Sequence, residues 1–506
     1  MSPVSSKSRG ILVNVDSLTI LESTHRKTEF QIRRLMSGID QRMRLKLIED
    51  SPEGRTVLAD AGQDGVEVIS AAELDRRRSA NQHLNPEFID LLQDAVLKDC
   101  NVPLFYDRTV RYTLAGRKRG FLLPQASDSI HHYFQRIAEI AQKQWATLRA
   151  LSPDLIVFAN TPHGSLPWVD SLVAQAMGVE VLVVHDGIVP GYRRIMSGFG
   201  KNRRALRLNV GKRQTRCTDY HKDADAYLTA CRASFEQGMA AYERERLKQN
   251  GGRIFNARQV LRTHWYRPLW ALNTLQCWNT MQLLAVDSDQ LPEKYAVYFL
   301  HYQPEKTSLP EGFGFTQQVN AIRALRACLP RDVRLLVKEH PATYNFMCLP
   351  GYRTPAFYRS IDAMQGVSLL DISCDNFEVI DGAVCVSTLS GTVGVEALIR
   401  GVPVVYFGLP AAYELNGQHV YENAQTLQEF LEKAVAGDFR RATIRDSIEQ
   451  RIAYEADYVF QYDSGVPGQE RKVAALEILL QDPPAELFGH REAENVSSLV
   501  DSCSTR

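Results

Sequence analysis

The residues best suited to chemistry lie in a hydroxyl-rich turn within VCVSTLSGTVGVEALIRGVPVVYFG, residues 384–408. The pattern predicts a buried strand, a turn, a short helix and a second buried strand. Backbone N–H groups at the start of such a helix have no intrahelical partner and can bind an anion, at the sheet edge where open α/β sheets hold ligands. The turn therefore predicts a phosphorylated ligand, although ordinary helix capping favours the same residue types. The candidate binding residues are Ser387, Thr388, Ser390, Gly391, Thr392 and, about one turn into the helix, Glu396.

A second polar group follows the predicted strand in VRLLVKEHP, residues 333–341. Lys338, His340 and Pro341 lie at the end of this strand, where an imidazole can donate to a phosphate oxygen and stabilise a leaving nucleotide. The same histidine could instead cap the backbone of a loop. Because neighbouring parallel strands end on one edge, we expect this group and the hydroxyl-rich turn to converge on one anion.

A third group follows the predicted strand YAVYFLHY, residues 295–302. Gln303 and Glu305 come directly after it, where a ligand cleft is expected. A turn built on Pro304 is the competing explanation for these residues.

The first half of the chain contributes candidate catalytic residues from two strands, DLIVFAN at 154–160 and VEVLVVHDG at 179–187. His163 follows the first strand, and His185 and Asp186 end the second. Asp186 could act as a general base in an inverting transfer, and a carboxylate could act as a nucleophile in a retaining one. Asp186 could also be a turn former, and His163 a cap at a helix start.

Two stretches are basic and contain no Asp or Glu. Residues 188–216 carry nine Lys or Arg, and residues 253–285 mix arginines with tryptophans. Such charges could form a solvated face, attract an anionic acceptor, or contact anionic headgroups of a membrane.

The totals limit the class of protein. A chain of 506 residues exceeds one core and predicts two domains. Lys plus Arg and Asp plus Glu both number 59, which argues against a general nucleic-acid binder. The nine cysteines form no C-x-x-C pair, no signal peptide is recognisable and no apolar run approaches membrane-spanning length. We therefore expect a cytoplasmic protein with reduced thiols.

The pattern of elements predicts an α/β fold of two Rossmann-like domains facing a cleft, with C-terminal helices. Residues 26–50 and 222–249 are predicted helical, as are 424–435, 440–460 and 468–481. The predicted organisation is an N-terminal α/β domain with the basic insert (1–286), a second Rossmann-like domain (287–440), C-terminal helices (441–482) and a polar tail (483–506).

The motifs LHYQPEKT, LLVKEHP, VSTLSGTVGVEAL and GVPVVYFG, in this order, resemble the capsule polysaccharide biosynthesis proteins over residues 295–415. That family includes bacterial Kdo transferases of the two-domain GT-B type that use a CMP-linked sugar. The His-Pro pair and the Ser/Thr turn are also similar to the nucleotide-binding motifs of bacterial sialyltransferases. The first half matches in outline, through NTPHG, HDG and VPGYR, and the family's threonine-rich turn reads STLSGT here.

The resemblance implies that His340 and the turn from Ser387 to Thr392 hold the CMP portion of a donor, and that Asp186 is similar to the base of sialyltransferases. From the residues, no divalent metal or other cofactor is expected, because no D-x-D motif has a convincing context and a helix N-terminus can neutralise phosphate charge. The resemblance predicts a glycosyltransferase with an acceptor-side first domain (1–286) and a nucleotide-sugar-binding second domain (287–440). Its partners would be a nucleotide sugar, a glycan or lipid-linked acceptor and the inner membrane surface. A nucleotide-sugar epimerase and a non-catalytic assembly or export partner remain open as alternatives.

Overall fold

The computed structural model describes a large part of the chain, and every structural statement below concerns that part. The described residues are 18–23, 35, 39–48, 65–79, 86–97, 130–163, 165–198, 203–208, 220–233, 255–263, 268–303, 305–346, 352–461 and 469–487.

The first sheet has eight strands in the order β14-β6-β5-β4-β1-β2-β3, with β7 beside β6. Strands β1 to β5 pair in parallel, whereas β6 is antiparallel to β5. The strands are β1 (Leu18–Ser23), β2 (Met43–Ile48), β3 (Val66–Ile69), β4 (Leu155–Phe158), β5 (Glu180–Asp186), β6 (Tyr192–Ser197), β7 (Arg204–Ala205) and β14 (Val459–Gln461).

Helices of the first half are α1 (Ala71–Ser79), α2 (Pro86–Leu91) continued by a π-helical turn (Leu92–Leu97), α3 (Ile130–Leu151), α4 (Ser165–Ala176) and α5 (Tyr220–Ala233). The apolar faces of α3 and α4 pack against each other and against the inner residues of β4 and β5. This packing fixes the carboxyl ends of β4 and β5, where His163, His185 and Asp186 lie.

The second sheet has six parallel strands in the order β10-β9-β8-β11-β12-β13. They are β8 (Tyr295–Phe299), β9 (Arg334–Lys338), β10 (Val367–Leu370), β11 (Cys385–Thr388), β12 (Val404–Tyr406) and β13 (Gln418–Val420). Strands β8 and β9 are almost continuously apolar and buried, as expected for parallel strands covered on both faces.

The remaining helices complete the second half of the chain. They are α6 (Ala257–Thr263), α7 (Pro268–Leu284), α8 (Gln318–Cys328), α9 (Ala342–Phe346), α10 (Pro355–Asp362), α11 (Asn376–Gly382), α12 (Thr392–Arg400), α13 (Ala424–Ala436), α14 (Arg441–Glu455) and α15 (Gln469–Gln481). The fold class predicted from the sequence, two Rossmann-like α/β units with C-terminal helices, is confirmed by the two sheets and their covering helices.

The end of the chain returns to the first sheet. β14 pairs antiparallel with β6, and α15 packs its apolar face on β2, β4 and β5. Conversely, α7, which lies before the predicted boundary at residue 287, packs on α10 and β10 of the second unit. The first unit is therefore completed by the C-terminal segment, which is distant in sequence, and the second unit includes the helix that directly precedes β8.

Two segments differ from the predicted elements, and a third agrees over its described part. The helix predicted over 26–50 is wrong at Met43–Ile48, where buried and less buried side chains follow a strand's period of two. The helix predicted over 440–460 ends at Glu455 and is followed by β14. In the predicted helix over 222–249, α5 covers the described part up to Ala233.

Candidate functional site

The hydroxyl-rich turn presents an uncapped helix start. Gly391 is the N-cap residue of α12, and no side chain caps the first turn of this helix. A Cβ atom at Gly391 would lie 3.0 Å from Oγ1 of Thr388 and 3.1 Å from Cε1 of His301, so the position favours glycine. Thr392, the first residue of α12, is exposed. Backbone N–H groups at a helix start of this kind can bind an anion.

His301 contacts this helix start, and the sequence reasoning did not select it. Its Nε2 atom lies 2.8 Å from Oγ1 of Thr388 and accepts a hydrogen bond of 3.3 Å from the N–H of Ser390. Burial, followed by the nearby charge of His340, lowers the pKa of His301 to about 3. The ring is therefore neutral at physiological pH, with its proton on Nδ1 when Nε2 accepts from Ser390.

The order of the strands explains this contact. β8, which carries His301, lies between β9 and β11. The expectation that His340 and the hydroxyl-rich turn follow adjacent strands is therefore wrong: they follow strands on either side of β8. His301 occupies the position between the two predicted groups.

His340 is half-buried and accepts a hydrogen bond of 3.1 Å on Nδ1 from the N–H of Ala342. This bond places the proton of a neutral ring on Nε2 and caps α9, the alternative that the sequence left open. Pro341 follows it at the beginning of α9 and is half-buried. Lys338 is buried and donates to the carbonyl oxygen of Cys374 and to Asn376, so its ammonium group ties β9 to the loop before α11.

A buried network holds the loops that carry His301 and His340. Arg353 pairs with Glu339, whose Oε2 lies 2.6 Å from Nε of the arginine, and Nη2 of Arg353 donates to the carbonyl oxygen of His301 at 2.9 Å. Both side chains of this ion pair are at most 2% exposed. The N–H of His340 donates to Oε1 of Glu339 at 2.8 Å. One ion pair thus fixes the backbone of both histidines.

Gln318 and Gln303 extend this network. Gln318 accepts from the N–H of His301 at 2.7 Å and donates to its carbonyl oxygen at 3.0 Å. Gln303 accepts from Gln318 and Arg353 and donates to the carbonyl oxygen of Thr316. The side-chain amide of Gln303 therefore binds other residues of this network. The expectation that Gln303 faces the ligand cleft is not met. Glu305 is exposed and accepts from Thr307 at 2.9 Å.

The other residues of the turn divide into two groups. Ser387 and Thr388 are fully buried; Ser387 donates to the carbonyl oxygen of Val405, and Thr388 contacts His301. Ser390 is half-buried and donates to the carbonyl oxygen of Thr307 at 2.9 Å. Glu396 is half-buried on the side of α12 that faces α5, where its charge raises the pKa of Cys231 in addition to the larger effect of burial. Of these residues, Ser390 is the side chain best placed beside the helix start.

The strand ends of the first sheet meet the second unit. Glu311, in the loop after β8, lies with Oε1 2.6 Å from Oγ1 of Thr161 and 3.2 Å from Nε2 of His185. Lys306, in the same loop, donates to Oδ2 of Asp186 at 2.8 Å. His163 contacts the backbone of Thr161, since its Nδ1 lies 2.8 Å from the carbonyl oxygen of that residue. The carboxyl ends of both sheets therefore face one cleft.

Burial and neighbouring charges determine the ionisation states of Glu311, Asp186 and His185. Burial acts to raise the pKa of Glu311, but the hydrogen bond with His185 and the charge of Lys306 lower it to about 2. Burial acts to raise the pKa of Asp186 as well, and Lys306 and Arg193 outweigh it, holding this pKa well below its usual value. Burial and the charge of Arg203 lower the pKa of His185. Both carboxylates are ionised and the imidazole is neutral near neutral pH.

The basic insert is explained by this interface. Arg193 pairs with Asp186 at 3.0 Å, Arg194 with Glu455 at 3.1 Å, and Arg207 with Asp457 at 2.8 Å. Arg203 lies 2.9 Å from Nε2 of His185 and donates to the carbonyl oxygen of Pro410. A solvated face or an anion-attracting surface is therefore the wrong interpretation for Arg193, Arg194 and Arg203, which contact other groups of the protein. A solvated face fits the exposed Arg204 and Arg207, although Arg207 also pairs with Asp457. Lys201, Lys212, Arg213 and Arg216 lie outside the described residues.

Four residues of the site escaped the sequence reasoning: His301, Lys306, Glu311 and Arg353. His301, Lys306 and Glu311 lie in or near the quoted motif HYQPEKT, so their loop was identified although their roles were not. Arg353 lies in a stretch without a strong pattern, and its pairing with Glu339 depends on the fold alone.

Within the described residues, no group of three or more His, Cys, Asp or Glu side chains is arranged to hold a metal ion. Nor does any helix there combine the length and apolar composition needed to cross a membrane.

Comparisons with known proteins bear on the identity of the chain. The family described as "Capsule polysaccharide biosynthesis protein" matches residues 214–444, which include the four motifs noted in the sequence, and the resemblance to that family is confirmed. No curated protein matches the chain.

Solved structures with similar architecture share little sequence identity with this chain. UDP-GlcNAc 2-epimerase from Methanocaldococcus jannaschii is 12% identical, with 87% of this chain and 99% of that chain covered and a TM-score of 0.25. Anabaena Alr3699/HepE in complex with UDP and glucose is 12% identical, with 95% and 99% covered and a TM-score of 0.27. The beta Kdo 2,4 transferase KpsC of Thermosulfurimonas dismutans is 13% identical, with 64% and 87% covered and a TM-score of 0.28.

Proposed function

We propose, starting from the resemblance of residues 214–444 to the capsule polysaccharide biosynthesis family, that this protein is a glycosyltransferase of bacterial surface polysaccharide synthesis. The observation that carries the proposal is the uncapped start of α12, flanked by the neutral ring of His301 and opening at exposed Thr392. Backbone N–H groups at a helix start bind the phosphate of a nucleotide and neutralise the charge that develops as the sugar departs.

The donor in this proposal is a CMP-linked acidic sugar such as Kdo, as the family resemblance implies. His340 carries its proton on Nε2 when the ring is neutral, since Nδ1 accepts from Ala342, and can donate to a phosphate oxygen of the donor. No metal or other cofactor is part of the proposal, because backbone N–H groups and imidazole donors supply the phosphate contacts.

The acceptor hydroxyl would approach from the first unit, where Asp186 lies at the end of β5 with its side chain 45% exposed. An ionised carboxylate there can accept the proton of the attacking hydroxyl in an inverting transfer. A retaining transfer would instead need a carboxylate to attack the anomeric carbon first. Measuring the anomeric configuration of the product by NMR distinguishes the two.

The acceptor is proposed to be a growing glycan on a lipid carrier, presented at the cytoplasmic face of the inner membrane. Two exposed arginines, Arg258 and Arg262, and the exposed Leu261 lie on α6, within the acid-free stretch 253–285. Basic and apolar groups of this kind contact anionic headgroups. Sedimentation with vesicles containing anionic lipid should bring the protein down, and vesicles of zwitterionic lipid should not; equal recovery with both would remove the membrane from the proposal.

A charge reversal at the helix start tests the donor site directly. Thr392→Glu places a carboxylate at the first residue of α12, where it is favourable for the helix itself but repels a phosphate. CMP at 100 times its dissociation constant should stabilise the unaltered protein by about 2.7 kcal/mol. We expect Thr392→Glu to abolish this stabilisation, measured as a thermal shift.

The matched control is Gln425→Glu, an exposed position in the first turn of α13. It adds the same charge to another helix start and should leave the response to CMP intact. Stabilisation by CMP that survives Thr392→Glu would contradict the proposed site, and stabilisation by UDP alone would move the donor away from CMP sugars. Isomerisation of a free nucleotide sugar without an acceptor would favour an epimerase instead.

A further inference from the structure

The loop of residues 305–311 connects the proposed donor site to the first unit. Its Thr307 accepts a hydrogen bond from Oγ of Ser390, next to the start of α12. On the other side, Lys306 donates to Asp186 of β5, and Glu311 contacts Thr161 after β4. Residues 306–311 thus connect the helix start with the strand ends that carry the candidate base.

Asp186 is held by cations from two different units. Oδ1 lies 3.0 Å from Nη1 of Arg193, and Oδ2 accepts from Nζ of Lys306 at 2.8 Å. Arg194 donates to its backbone carbonyl oxygen at 3.0 Å, and the ring of His185 is the adjacent titratable group. Each carboxylate oxygen therefore has one cationic partner, and the side chain still reaches solvent in the cleft.

The two cationic contacts of Asp186 differ in origin, because one lies within the first sheet and the other joins the two units. Arg193 faces Asp186 across the β5–β6 pair of the first sheet, so this contact is present whatever the relation of the two units. Lys306 belongs to the second unit, and its contact exists only while the units are closed on each other. The carboxylates of Asp186 and Glu311 in turn raise the pKa of Lys306, against the opposing effect of burial.

We propose that Lys306 is a positioning residue that orients the Asp186 carboxylate for sugar transfer when the two units are closed. The inference rests on the proposed function and adds a residue to it. By occupying Oδ2, Lys306 fixes the rotation of the carboxylate, and the loop that carries Lys306 contacts Ser390 at the donor site through the carbonyl oxygen of Thr307. A misplacement of about 1 Å in a reacting group can cost about 100-fold in rate.

The experiment uses Lys306→Met, Lys306→Arg, Asp186→Asn and the double variant Lys306→Met/Asp186→Asn. We expect Lys306→Met to bind CMP as the unaltered protein does, to keep KM for the donor nearly unchanged, and to lower kcat by about 100-fold. Lys306→Arg should recover part of this loss because it restores the charge. In the double variant the Lys306→Met change should add little to the loss caused by Asp186→Asn, since residues that act through one another are non-additive.

The pH profile gives an independent readout. Removal of Lys306 takes away one of the two cations that lower the pKa of Asp186, so the acidic limb of kcat should move to higher pH in Lys306→Met. The control is Lys294→Met, which removes an exposed lysine whose Nζ lies 3.7 Å from Asp332. This variant should keep both kcat and the pH profile.

Full additivity of the two single losses, or an unchanged kcat in Lys306→Met, would overturn the inference while leaving the glycosyltransferase proposal in place. A failure of the proposed function is seen earlier and separately, as an unaltered protein that neither binds CMP nor transfers a sugar, and that result would overturn both.

Discussion

At the scale of one residue, the contacts that the fold gives His301 determine its protonation state and its role. Its sequence motif marked it as part of a strand end, whereas the fold places its ring against Thr388 and the N–H of Ser390. The buried ring is neutral because its pKa is lowered to about 3, by burial first and then by His340. A neutral imidazole at a helix start avoids the repulsion that a cation would meet from the positive end of the helix dipole.

A pH dependence of stability follows from this burial. The pKa of His301 is lower in the folded state than in the unfolded one, so the unfolded state binds more protons between about pH 6.5 and pH 3. Stability from this group is full above about pH 6.5 and falls as the pH decreases through that window. His301→Gln should reduce the loss of unfolding free energy between pH 7 and pH 5 by about 2 kcal/mol, measured by urea denaturation.

The same variant at pH 8 is the control, because the ring is then neutral in both states and the comparison reports packing alone. An equal loss between pH 7 and pH 5 in the unaltered and variant proteins would show that His301 is not buried in neutral form.

The residues that the sequence could and could not identify differ in a physical way. Ser387 and Ser390 look equivalent in STLSGT, yet Ser387 points into the sheet and Ser390 lies beside the helix start, because successive strand residues face opposite sides and the strand ends at Thr388. The apolar pattern was enough to predict that the hydroxyl-rich turn lies at the carboxyl edge of the sheet. Contacts such as that of Arg353 with Glu339, which no periodic pattern encodes, were not predictable.

At the scale of elements, the loop of residues 305–311 depends on a close approach of two backbones. Gly408, after β12, lies where a Cβ atom would come within 2.3 Å of the carbonyl oxygen of Glu311. The N–H of Leu409 donates to that same carbonyl oxygen at 2.9 Å. The loop that carries Lys306 and Glu311 is therefore seated on the turn after β12.

Gly408→Ala should displace this loop, since the obstacle is backbone and cannot rotate away. We expect lower thermal stability and a loss of sugar transfer, with the domain interface rather than the helix start affected. Gly314→Ala is the matched control, because a Cβ atom there meets nothing within 4 Å and the residue lies in the same connection. Equal behaviour of the two variants in thermal melts and transfer assays would contradict the proposed role of this contact.

At the scale of the whole molecule, the sequence predicted the α/β alternation of both halves but not how they are joined. Strongly periodic segments such as α3 and the buried strands β8 and β9 were recognisable because local pattern and burial agree. The return of β14 to β6 was not, since three residues carry no period and their pairing partners, residues 192–194, are far away in the sequence. From the sequence alone, Arg193 and Arg194 are interpreted as part of an exposed surface, because the sequence does not show their acidic partners.

Two ion pairs lie where the units meet, one buried and one exposed, and their acidic residues are two positions apart in the sequence. Arg194 and Glu455 are at most 3% exposed, and Glu455 also accepts from the N–H of Ile188 at 2.9 Å and from Tyr220 at 3.1 Å. Arg207 and Asp457 are at least 50% exposed. One pair attaches the last residue of α14 to the first unit and the other attaches the turn just after it, so environment is the main difference between them.

Glu455→Gln should therefore lower the unfolding free energy by about 3–5 kcal/mol, because it leaves the guanidinium of Arg194 buried without a counter-charge. Asp457→Asn removes the same charge in an exposed pair and should cost less than about 1 kcal/mol. Urea denaturation of both variants, followed by circular dichroism and by tryptophan fluorescence, measures the difference. Equal small losses would mean that the C-terminal segment is not held by the buried pair, and the two units would then be joined mainly through the loop of residues 305–311.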